Sequence, residues 1–197
     1  FVRYGALLAE AGARVVFECP SSLAPLFAKI SWLNIVVPLG DILPSVDLHV
    51  ALMSLPDKFA TTLETVPASV PYLPLPKPRV DFEKFTVGFA WRGSKSNSKG
   101  RHRSCSLSDF EILFHQEALE FVSLQTELGD EDQRALKRFG VQDFGSGFKN
   151  FLDTAEIVTS IDLVITVDTA LAHLVGGMGK PVWIMVPHGP DWRWLLE

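Results

Sequence analysis

The run Asp162-Leu163-Val164-Ile165-Thr166-Val167-Asp168-Thr169-Ala170-Leu171-Ala172-His173 admits few folds. Leu163 to Val167 is apolar or β-branched throughout, the pattern of a parallel strand buried on both faces. Asp168 and Thr169 are residue types that start helices, and an Ala/Leu-rich segment follows them. A strand that ends on a helix start gathers side-chain oxygens and free backbone N–H groups at its carboxyl end. Those N–H groups and the partial positive charge of the helix end suit a phosphate. In an open α/β sheet, ligands bind along that edge. In a purely structural role, Asp168 and Thr169 would only cap the helix.

The rest of the chain alternates in the same way. Residues 2–11 read as a helix stopped by Gly12, 14–18 as a strand, and 23–30 as a helix capped by Ser21-Ser22. Residues 34–38 and 47–52 read as two further strands. A second series opens with a strand at 86–91. A helix capped by Ser108 follows at 109–115, then a strand at 120–124, a helix at 131–138, a strand at 141–144, a helix at 150–160 and a last strand at 181–186. Helices and strands alternating at short spacing predict an α/β fold with parallel sheets. Between the two series, prolines stand at 67, 71, 74, 76 and 78, a density incompatible with a helix or a central strand. The expected division is therefore a partial N-terminal domain at 1–66, an extended connector at 67–84 and a C-terminal domain at 85–197. Alternatively, the proline run is an extended segment packed along one domain.

At 197 residues and 47% hydrophobic, the chain can bury a core. A net charge of −5 argues against a nucleic-acid-binding face. Cys19 and Cys105 match no metal or redox spacing, which fits a reducing cytoplasm. The histidines at 49, 102, 115, 173 and 188 form no HExxH pair, so no metal site is expected. No GxSxG elbow or Walker loop occurs, no apolar run reaches transmembrane length and no signal peptide is visible. The chain begins at Phe1 in helix-like sequence, and it is expected to be a piece of something longer.

Four further features have structural roles as their alternative. The loop from Arg92 to Ser104 holds Arg92, Lys95, Lys99, Arg101 and Arg103, with His102 among them. It is either a solvated surface loop or a source of one or two phosphate contacts, with Arg92 and Arg103 nearest the ordered elements. Gly145-Ser146-Gly147-Phe148-Lys149-Asn150 imitates a dinucleotide fingerprint, with Asp168 near the place of a ribose-binding acid, but Asn150 replaces the third glycine and a plain turn is favoured. His173 sits one turn into its helix, either as a hydrogen-bonded core residue or turned back toward the helix start. Trp91, Trp183, Trp192 and Trp194 cluster at strand ends as core residues, with Trp192 or Trp194 the candidates to wall a cleft.

Taken together, DLVITVDTALAH, the following GKPVWIMVPHGPDWRW, and VGFAWRGS, RSCSL and FVSLQTE upstream resemble glycosyltransferase family 9, the heptosyltransferase-like enzymes. The closest likeness is to forms that follow tetratricopeptide repeats in bacterial proteins. The resemblance implies two Rossmann-like domains in a GT-B arrangement, the N-terminal one incomplete, with its first strand expected just before Phe1 and a closing strand and helix beyond Glu197. It implies an inverting, metal-independent, cytoplasmic glycosyltransferase without a cofactor, taking a nucleotide-diphosphate sugar as donor. The acceptor would be a glycan, a lipid-linked glycan or a protein. By position, Asp168, Thr169, Ala170 and His173 would form the diphosphate turn. Arg92 or Arg103 would stabilise the leaving group, and Gln125 would contact the base or ribose. The catalytic base is expected upstream of Phe1, since the family's Gly-rich loop with its acidic residue is absent here. Ala170 also replaces the glycine usual after Asp-Thr/Ser. The alternatives are a non-catalytic nucleotide-sugar-binding or interaction module and a nicotinamide-dinucleotide-binding protein.

Overall fold

The computed structural model describes residues 1–94 and 103–194, the side chain of Trp192 excepted. Lys95, Lys99, Arg101 and His102 of the basic loop lie outside the described residues. The architecture is α/β with parallel sheets. Two units divide the chain: Phe1–Pro74 with Asn150–Leu152, and Leu75–Lys149 with Asp153–Glu197.

The first unit carries α1 (Tyr4–Glu10), β1 (Val16–Cys19), α2 (Ala24–Phe27), β2 (Ile35–Pro38) and α3 (Leu55–Lys58). Gly12, at φ 88°, turns the chain out of α1, a left-handed conformation that glycine adopts without a Cβ clash. β1 and β2 pair in parallel, Val16 opposite Ile35, and Asn34 Oδ1 accepts the Val15 N–H at 2.8 Å. Two expectations are corrected here. Ser21 and Ser22 do not cap α2: Leu23 stands at the cap, and Pro25 in the first turn sets the helical φ. Residues 47–52 do not form a third strand. A strand must place its backbone donors and acceptors on a neighbour; this segment has none, and Leu48 is 90% exposed. Leu52–Ser54 tightens into a 3₁₀ turn that leads into α3.

The proline run is anchored at both of its ends. The Arg3 guanidinium donates to the Pro67 carbonyl and lies 4.3 Å from the centre of the Tyr72 ring. Further on, Arg79 N–H donates to the Glu156 carbonyl at 3.3 Å, and Ser160 Oγ donates to the Val80 carbonyl.

The second unit is a five-stranded sheet of β3 (Phe85–Ala90), β4 (Leu119–Ser123), β5 (Gln142–Asp143), β6 (Leu163–Val167) and β7 (Val182–Met185). All four pairings are parallel and the strand order is β5-β4-β3-β6-β7. β3, buried from Thr86 to Ala90, is the central strand. The chain runs outward from it through β4 and β5, then returns to its other side for β6 and β7. α4 (Asp130–Arg138) links β4 to β5, α6 (Ala170–Gly177) links β6 to β7, and α5 (Phe151–Ser160) carries the chain back to β6; crossovers of the general right-handed rule put α4 and α6 on opposite faces. One face is packed by Phe89, Trp91, Leu107, Phe110, Leu136 and Val141, with the Phe89 and Phe110 rings stacked at 5.3 Å. Burial of this apolar and aromatic surface is the main stabilising term. Trp183 on β7 is 65% exposed, so strand-end tryptophans are not uniformly core.

The helix expected at 109–115 is two 3₁₀ turns, Leu107–Phe110 and Leu113–His115. Its cap is Ser106, not Ser108. Ser106 Oγ accepts the Ser108 N–H at 3.3 Å while Asp109 accepts the Ser106 N–H at 2.8 Å, a reciprocal capping box. No helix among the described residues is long and apolar enough to cross a membrane.

Candidate functional site at the sheet's switch point

Because all five strands are parallel, their carboxyl ends share one edge. The direction of winding reverses between β3 and β6, so the sheet's switch point, the place where open α/β sheets bind ligands, lies between the segments leaving these two strands. The segments concerned are Trp91-Arg92-Gly93 and Asp168-Thr169. A Cβ built on Gly93 would lie 3.8 Å from Thr169 Cγ2, so the two segments touch. The sequence-selected turn therefore stands at the one position in the sheet where topology favours a ligand.

Thr169 is the N-cap residue of α6, in extended conformation, but its side chain makes no capping bond to the helix. Its hydroxyl instead lies 3.3 Å from that of Thr166. The first α6 amides are thus not occupied by the cap side chain. Thr169 is half-buried and Ala170 exposed, so the helix start is open to solvent. His173 is exposed, not a core residue, and its ring stacks on Trp194 at 5.1 Å with an angle of 6°.

Asp168 is buried, and its carboxylate faces arginines. Arg103 Nη1 donates to Oδ2 at 2.9 Å, and Arg193 Nη2 lies 3.6 Å from the same oxygen. Burial by itself would raise the acid's pKa. The Arg103 hydrogen bond, the neighbouring Trp194 indole N–H and the charge of Arg193 outweigh it and hold the carboxyl below the usual range. The indole N–H contributes as a dipole, without the geometry of a full hydrogen bond. Asp168 is therefore ionised at neutral pH and anchors Arg103.

Arg92 is likewise engaged. Its guanidinium pairs with Asp132 and donates to the Glu127 carbonyl at 3.4 Å, lying 5.7 Å from the Trp91 ring centre. Asp132 also accepts the Gly129 N–H at 2.9 Å at the start of α4. Both arginines expected to meet a leaving group are thus tied to carboxylates of their own chain, one on each side of the Gly93–Thr169 contact.

Gln125 is buried, and its Oε1 accepts the backbone N–H of Trp91 at 3.2 Å and of Arg92 at 2.9 Å. Through that oxygen Gln125 fixes the path of the chain as it leaves β3. Cys105 N–H donates to the Trp91 carbonyl at 2.8 Å and brings the far end of the basic loop back to the same place.

Gly145–Gly147 is a 3₁₀ turn after the edge strand β5, two strands from the switch point. A Cβ on Gly145 would fall 2.4 Å from the Gln125 carbonyl oxygen, whereas one on Gly147 would meet nothing within 4 Å. The first glycine is needed for packing against the end of β4, and the plain-turn expectation matches this geometry.

The residues that sequence reasoning missed are Asp132, Arg193 and the anchoring role of Gln125. Asp132 carried a usable signal, an acid three positions after a helix-starting Gly129. Arg193 carried none, because only the fold brings it to Asp168. Among the described residues, no group of three or more His, Cys, Asp or Glu side chains is placed to hold a metal. No family model, no curated protein and no solved structure matches this chain.

Proposed function

We propose that this chain is part of a glycosyltransferase resembling family 9, binding the diphosphate of a nucleotide sugar at the start of α6. The observation that carries the reading is the position of the Thr169 turn. It opens a helix at the switch point of a parallel sheet, with uncapped amides beside an anchored arginine. In this reading, Thr169 and the α6 amides bind the diphosphate, and Arg103, held by Asp168, offsets charge developing on the departing nucleoside diphosphate. Gln125 keeps the Arg92–Gly93 backbone in place beside it. In this reading a carboxylate deprotonates the acceptor hydroxyl as general base.

A second reading, a nucleotide-sugar-binding module without turnover, is favoured by one observation: Arg92 and Arg103 are both already paired with carboxylates. Calorimetric titration of the chain with UDP, ADP and GDP tests the shared part. One of them is expected to bind with a Kd below about 1 mM, and Arg103→Ala to weaken it about tenfold or more. Gly147→Val leaves that binding unchanged. Absence of binding by all three at millimolar concentration overturns both readings. Binding without sugar transfer selects the second.

A further inference from the structure

A groove of about 350 Å³ runs along one face of α4, between that helix and the Ser106–Phe110 segment. It is a separate feature from the α6 start, and nothing above assigns it a ligand. Glu131, Arg134, Ala135 and Arg138 follow one another along it at helical spacing, so their side chains share that face. Arg92 closes one end, its charge already met by Asp132. Arg134 is exposed and has no ion-pair partner among the described residues. Arg138 lies 3.8 Å from Glu111 with both side chains largely in solvent, a pair of the kind that contributes little and yields to a better anion. The opposite wall presents the Ser106 and Ser108 hydroxyls, 2.7 Å apart and both exposed.

We propose that this groove binds a phosphorylated monosaccharide. Its lining is mixed in a way that selects such a ligand over a bare anion. Arg134 and Arg138 supply charge-assisted donors for a phosphate monoester. Glu131 would repel a bare anion, but it is a strong acceptor for sugar hydroxyls, and the two serine hydroxyls both donate and accept. Leu107 and Ala135 add apolar lining for the C–H face of a pyranose ring, and the Arg138 guanidinium lies 4.4 Å from the centre of the Phe139 ring at the groove's edge. The volume lies at the small end of the range for ligand sites and matches one sugar ring with its phosphate.

The test uses the full chain, with glucose 1-phosphate, inorganic phosphate and glucose as probes, followed by amide chemical shifts in NMR. Glucose 1-phosphate is expected to give saturable shifts at residues of α4 and the 106–110 segment, with at least about tenfold higher affinity than either inorganic phosphate or glucose. Arg134→Ala/Arg138→Ala is expected to weaken it about tenfold or more, and Glu131→Gln to narrow its advantage over inorganic phosphate. Thr169→Val is expected to leave it intact while weakening nucleoside diphosphates, so this site and the α6 site succeed or fail separately. The proposal is overturned if no saturable shift appears by about 10 mM, if inorganic phosphate binds equally well, or if the double arginine variant binds as the parent does. Both arginines are exposed, and an unchanged amide spectrum of the free variant verifies that its fold is kept.

Discussion

Gln125 and Asp168 show how far a single residue's role depends on what surrounds it. Both were selected from the sequence for their position after strands β4 and β6, and both are buried. The fold gives each a partner on another segment: two backbone amides for Gln125, two arginines for Asp168. Position was legible in the sequence; partners were not, because Arg103 and Arg193 stand 65 residues before and 25 residues after Asp168. Gln125→Leu is expected to leave the two amides without an acceptor and to lower unfolding free energy by about 2–4 kcal/mol, read by urea denaturation. Asp168→Asn removes the charge that Arg103 meets and is expected to cost about 2 kcal/mol in the same measurement. The pH dependence follows from the direction of the Asp168 shift. A carboxyl with a folded pKa below its unfolded value, near 3.9, contributes its stability above that unfolded value. The contribution fades as pH falls through the folded value. Between about pH 4 and pH 2 the parent is therefore expected to lose stability more steeply than Asp168→Asn, as followed by circular dichroism.

At the level of elements, hydrophobic pattern located most of the second unit, and β6 falls on the expected residues without a shift. Its central strand β3 is buried from Thr86 to Ala90, so local pattern and tertiary burial agree there. The two failures have separate causes. Residues 47–52 have a strand's composition, but a strand exists only with a neighbour to bond. The segment at 107–115 has a helix's composition, but it closes in two tighter turns after a capping box one serine pair earlier. The Gly145–Gly147 turn provides a direct check at this scale. Gly145→Ala is expected to disrupt the end of β4, because the added carbon would meet backbone that cannot move aside, with a loss above about 3 kcal/mol. Gly147→Ala has open space and is expected to stay within about 0.5 kcal/mol of the parent in thermal unfolding. Equal effects of the two would mean that the turn does not pack on Leu124 and Gln125 as described.

For the molecule as a whole, the division between Pro74 and Leu75 falls inside the proline run, which is held to its surroundings at Pro67 and Tyr72 on one side and at Arg79 and Val80 on the other. The dense prolines forbid a regular element at that division. The anchoring contacts could not be read, since they join residues far apart in the chain. The contrast between Trp91, which is fully buried, and Trp183, which is mostly in solvent, has an optical consequence. Iodide should quench Trp183 fluorescence and leave the blue-shifted emission of Trp91 untouched. Because the Trp91 backbone is fixed by Gln125 and its ring lies beside Arg92, that protected emission is an intrinsic, label-free signal of what happens at the switch point.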